Sequence, residues 1–94
     1  GTTSLVLGNA IQSTICFMTN TANRVVTLPQ ISAMTGDKKI VINVKDASFV
    51  ANASNITIYT SGGDLVDNAA SFVINENGAS VTLINDEGTN WYII

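Results

Sequence analysis

A chain of 94 residues is the size of one domain, and folding at this size removes about two thirds of the unfolded chain's surface from water. Charged residues make up only 12% of it, about half the usual share, and with a formal net charge of -3 the cations are Arg24, Lys38, Lys39 and Lys45. This excludes the basic stripe that holds nucleic acid or an anionic membrane, and the absence of histidine excludes Ser-His-Asp and Cys-His catalysis and the commonest transition-metal ligand.

In chain order, the opening Gly1 suggests a processed or trimmed start, with no signal-peptide pattern and no apolar run long enough to cross a bilayer. Residues 4–7 read as a short strand or arm ended by Gly8-Asn9. Residues 12–18 follow as a strand with Ile15 and Phe17 on one side and Thr14, Cys16 and Met18 on the other. After a polar loop at 19–23, residues 24–28 resume as a strand until Pro29 removes a backbone donor. Residues 31–34 allow one helical turn, which Gly36 stops. Residues 39–45 are the clearest alternating strand, with Ile40, Ile42 and Val44 on one face. Phe49-Val50 gives a brief apolar touch, residues 55–60 place Ile56 and Ile58 inward, and Ser61-Gly62-Gly63-Asp64 is the strongest breaker, after which Leu65 and Val66 re-enter the core.

The last third organises the chain. Residues 71–75, 79–84 and 90–94 are β-branched and aromatic runs at strand spacing. Asn77-Gly78 predicts a hairpin between the first two, and 85–89 predicts a turn with Gly88 at a left-handed position between the last two. The expectation is an all-β domain of about seven or eight short strands, an antiparallel sandwich or jelly-roll-like fold ending in a three-stranded meander. It is read as a single domain over 1–94, in which 1–23 is an arm or pair of edge strands. Replacing Gly78 with Val is expected to cost on the order of 1 kcal/mol or more, because a β-branched residue would be forced to positive φ.

Few residues carry chemistry. Asp64 with Asp67, or Asp86 with Glu87, are the carboxylate pairs available for glycoside hydrolysis, but all lie in or beside Gly-containing turns, where acids serve as turn formers. Residues 75–78 have the flavour of a calcium loop without its closing acid, and Asn52 and Asn55 head glycosylation patterns expected by chance in so Asn-, Ser- and Thr-rich a chain. Cys16, the only cysteine, reads as a small packed thiol. Trp91 and Tyr92, with Tyr59 assisting, could stack on a sugar; alternation instead sends one of Trp91 and Tyr92 into the core and the other to a subunit contact. No catalytic residue, metal or cofactor is expected.

Taken in order, Val26-Thr27-Leu28-Pro29, residues 39–46, 55–58 and 63–67, Ser80-Val81-Thr82-Leu83-Ile84 and Gly88-Thr89-Asn90-Trp91-Tyr92-Ile93-Ile94 resemble a module common in tailed-phage fibre, spike and capsid-decoration proteins. The resemblance covers roughly residues 25–94, and the chain departs from the frequent Gly-Asp-Thr-Ile-Asp-Gly with Gly63-Asp64-Leu65-Val66-Asp67-Asn68. It implies a non-enzymatic, trimeric virion component at the particle surface, partnered by itself and by capsid or tail proteins. The alternatives are a knob binding a host-surface glycan or receptor, and an adhesin or surface-layer module of a cell. Low charge and apolar character on both faces of several strands independently favour assembly; the three-fold count comes from the resemblance alone. Trp91, Tyr92, Ile94 and Tyr59 are the candidate subunit or receptor contacts, and Asn77, Gly78, Gly62, Gly63 and Gly88 the structural turns.

Overall fold

The computed structural model of the protein describes residues 4–19 and 21–94; the trimmed start expected at Gly1 and the Asn20 position of the first polar loop lie outside them. Among the described residues the order is β1 (Ser4–Val6), β2 (Thr14–Met18), β3 (Arg24–Thr27), a 3-10 turn (Ile31–Ala33), β4 (Ile42–Asp46), β5 (Ile56–Tyr59), β6 (Leu65–Val66), β7 (Ser71–Ile74), β8 (Ser80–Asn85) and β9 (Asn90–Ile93). The domain is all β, built of two packed sheets. The first sheet has the order β1-β3-β5-β7 and the second β2-β4-β8-β9-β6.

From β1 to β7 each strand crosses to the opposite sheet, and through β5 the chain winds around a common core and lays each new coil beside the previous one. Parallel pairing is the consequence. Ser4 lies opposite Val25, Arg24 opposite Ile56, and Thr14 opposite Ile42. The winding ends in antiparallel pairs: β7 lies antiparallel beside β5, β8 crosses to the second sheet and pairs antiparallel with β4 on one side and β9 on the other, and β9 is the first strand to stay in its sheet. The sandwich is therefore mixed, where antiparallel pairing was expected throughout.

Alternation within each strand selects the core. Cys16 and Met18 point in from β2, Val26 from β3, Ile42 and Val44 from β4, Ile56 and Ile58 from β5, and Leu83 and Trp91 from β8 and β9. Ile31 on the 3-10 turn is also fully buried, which fixes the one helical turn the sequence allows. Together these fill the space between two surfaces of β-branched and long aliphatic side chains.

The expected closing meander is corrected by the sheet assignment. β7 pairs with β5 in the first sheet, Ile74 opposite Ile56, so residues 75–79 form a corner between sheets and only β8 and β9 form a hairpin. A turn does exist there, closed by the Ala79 N–H on the Glu76 carbonyl at 3.1 Å, with Gly78 at φ +75. Its other groups bind outward, however: the Gly78 N–H reaches the Asp46 carboxylate and the Asn77 side-chain oxygen accepts the Asn52 N–H. These bonds turn the chain onto residues 46–52 rather than back upon β7. Valine at Gly78 would be strained by φ and would also set a Cβ 2.6 Å from the Phe49 ring. A second correction concerns 85–89, where Glu87 takes the left-handed conformation (φ +62) and Gly88 does not. Gly88 instead permits close approach, since a Cβ there would lie 3.1 Å from the Asp86 side-chain oxygen that accepts its own N–H.

Candidate functional site

Three of the four candidate acids are occupied by backbone N–H groups. Gly62 and Gly63, both at positive φ, make the turn that delivers Asp64 inward, where its Oδ2 accepts the Ile31 N–H at 2.7 Å and holds the 3-10 turn against the sheet. Asp67 accepts the Ile93 N–H at 3.1 Å, Asp86 accepts the Gly88 and Asn90 N–H groups at 2.8 and 3.2 Å, and Glu87 faces Lys39 at 3.7 Å across an exposed pair. Asp86 closes its own turn, Asp64 and Asp67 hold backbone N–H groups far along the chain, and Glu87 is left in an exposed ion pair. Hydrogen bonds from Gly88 and Asn90 hold the Asp86 carboxyl below the usual aspartate range against a smaller desolvation effect. Among the described residues no group of three or more Cys, Asp or Glu could hold a metal ion, and no helix is long and apolar enough to cross a membrane.

Asp46, which no motif in the sequence singles out, is a buried acid that ties two segments together. It ends β4 fully buried, and its Oδ2 accepts the Ala51 N–H at 2.8 Å and the Gly78 N–H at 3.0 Å. Burial pushes its pKa up, but the N–H groups of Gly78, Ala51, Val50 and Ser48 together outweigh that and hold the carboxyl below its ordinary value. One carboxylate thus ties the 47–55 loop to the 75–79 corner. Phe49, in that loop, adopts φ +58, a conformation costly for a bulky side chain, with its ring exposed. Lys45 covers the ring at 5.2 Å and donates to the Gly78 carbonyl oxygen. Backbone hydrogen bonds to Asp46 and the cation–π contact of Lys45 account for this end of the molecule without any substrate.

The four candidate contacts separate. Trp91 is fully buried opposite Val66, which removes it from the contact set; its indole Nε1–H has no hydrogen-bond partner. Tyr92, its neighbour, points out of the second sheet, and Tyr59 points out of the first. The two tyrosines therefore lie on opposite surfaces of the sandwich and offer a sugar no shared platform. Ile94 is 72% exposed beyond β9, where its N–H still bonds the Thr82 carbonyl.

What the strands do bring together are two outer faces poor in charge, uncharged along the first sheet and carrying Lys45 beside Phe17 on the second. On the first sheet Val6, Thr27, Tyr59 and Ser71 form one row, and Val25, Thr57 and Val73 the next. On the second, Val41 lies beside Ile84 and Tyr92, while Ile15 and Phe17, on the edge strand β2, are 54% and 64% exposed. The alternation in residues 14–18 already placed Ile15 and Phe17 together; what it could not tell is that β2 lies at an edge. Comparison with protein-family models and with curated protein sequences gave no match.

Proposed function

We propose that this protein is a non-enzymatic structural module of a virus particle, a β block at the particle surface that associates with copies of itself and with capsid or tail proteins. The observation that carries the reading is the exposure of large apolar side chains on the outer faces of both sheets, Val6, Tyr59 and Val73 on one and Ile15, Phe17 and Tyr92 on the other. Monomers usually dress such faces with charge. Here the strand residues facing outward are mainly Val, Thr, Ile and Tyr, which suits burial against another protein. The ordered likeness to phage fibre and decoration modules supports the virion as the setting, and the engagement of three of the four candidate carboxylates by backbone N–H groups supports a role without catalysis.

A mass-spectrometric search of purified virions, paired with light scattering of the isolated chain, tests both halves. Peptides spanning residues 25–94 in intact particles, and a mass above one chain, are the expected results. Absence from particles would remove the virion assignment, and a single-chain mass at every concentration would remove self-association.

A further inference from the structure

The edge of the second sheet at β2 carries a specific backbone pattern. The Thr14 N–H bonds the Val41 carbonyl at 3.0 Å and the Met18 carbonyl accepts the Ala47 N–H at 2.9 Å, in a parallel register with Thr14 opposite Ile42. In a parallel ladder the residues with both backbone groups turned to the neighbour alternate, so Thr14, Cys16 and Met18 face β4. Ile15 and Phe17 therefore aim two N–H and two carbonyl groups out of the open edge. Nothing among the described residues blocks it: residues 12–18 contain no proline and no charge, the usual devices that stop edges from pairing.

We propose that two copies of this chain join through β2, antiparallel across a two-fold axis at Cys16, to fuse two five-stranded sheets into one. The strand is complementary to its own reverse. Setting Ile15 opposite Phe17 of the second copy, and Phe17 opposite its Ile15, pairs all four outward donors and acceptors. Both side chains lie on the outer face, so the same register stacks Ile15 on the facing Phe17 twice over. Charge agrees with a second copy as the occupant: a chain of net charge -3 meets itself along an uncharged stretch, and Lys45, the cation beside Phe17, is engaged by Gly78 and the Phe49 ring. This contact rests on the self-association half of the function proposed above and not on the virion half. It has two-fold symmetry, whereas the fibre resemblance implies a three-fold ring, and mass separates the two.

The register places the two Cys16 residues opposite each other as a non-hydrogen-bonded pair, whose Cα separation of about 4.5 Å lies within the disulfide range. Sedimentation equilibrium of the full chain from micromolar to millimolar concentration is expected to reach twice 9.9 kDa. Phe17→Lys is expected to stay at one chain mass with an unchanged circular dichroism spectrum, and Tyr59→Lys, on the other sheet, to keep the dimer. Oxidation by a diazene, which takes up the two thiol protons and two electrons to become a hydrazine, is expected to give a Cys16-to-Cys16 disulfide in the wild type and none in Phe17→Lys. Burial raises the Cys16 pKa, so this step is run well above neutral pH. A single-chain mass at millimolar concentration would overturn both the pairing and self-association. A three-chain mass, or a dimer unaffected by Phe17→Lys, would overturn the β2 pairing while leaving association by another surface standing.

Discussion

The two edges of the second sheet are finished in opposite ways. At the β6 edge, the Leu65 and Asp67 N–H groups bond β9, which leaves Val66 facing outward; but the Val66 N–H donates to the Ala69 carbonyl at 2.7 Å and its own carbonyl accepts the Ala69 N–H at 2.8 Å. The edge is closed by its own turn. That turn puts Asp67 and Asn68 at φ +47 and +64, the two left-handed positions of a type I′ turn, and the Asn90 side chain accepts the Asn68 N–H at 3.1 Å. At the β2 edge no equivalent turn folds back among the described residues, and the strand is longer, five residues against two. A sequence that closes one edge with two strained residues and leaves the other uncharged and apolar treats its edges unequally, which is the asymmetry a directed contact requires.

The largest break in this contrast lies under the closed edge. Trp91→Ala is expected to cost about 4 kcal/mol in chemical denaturation, in line with other large core truncations, whereas Trp91→Phe is expected to cost far less because it also removes a buried N–H that has no partner. Next comes Asp46, at the end of β4, the strand that carries β2. Asp46→Ala leaves the Ala51 and Gly78 N–H groups unpaired and is expected to cost about 2–3 kcal/mol. Because its pKa is lowered on folding, the stability Asp46 supplies is complete above about pH 4 and is lost as the pH falls through the lower folded-state value. A denaturation midpoint that drops on acidification in the wild type, and drops less in Asp46→Asn, checks the sign.

Asn68→Val should unmake the closed edge, because a β-branched residue resists φ +64; a loss of about 1–2 kcal/mol and faster amide exchange at Val66 are expected. The smallest effect on stability belongs to the open edge. Phe17→Lys should change the unfolding free energy of the single chain by less than about 0.5 kcal/mol, since Phe17 is exposed, while removing the concentration dependence of stability that a dimer confers.

How far the sequence disclosed this depended on range. Alternation is a local signal, and it placed Ile15 and Phe17 against Cys16 and Met18, and Ile40, Ile42 and Val44 on one face, as the burial shows. Which strand lies beside which is decided by pairings such as Arg24 with Ile56, and no local pattern distinguishes a strand that returns beside its neighbour from one that crosses to the other sheet. The corner at Asn77-Gly78 misled for that reason: its residues suit a turn, but the partners that aim it, Asp46 and Asn52, lie some 25 to 32 positions earlier. The left-handed residues show the same limit. Gly78 advertises its φ, while Phe49 and Glu87 take theirs with no signal in the residue type. Of the contact residues, Tyr92 and Trp91 were separable only as a pair, one in and one out, and the buried member is fixed by its place opposite Val66.

The winding of β1 to β7 between the sheets also governs how the chain finds its fold. Neighbours in a sheet come from stretches roughly 15 to 40 residues apart, β4 waiting for β8 and β3 for β5, with β8–β9 the one short-range hairpin of full strands among the described residues. Loop closure must precede the reward of each contact, so the expected refolding is slow for a domain of this size, on the scale of milliseconds to seconds. A chain emerging from the ribosome would hold β4 with only β2 beside it until Ser80–Asn85 had been made, leaving its other edge open through most of synthesis.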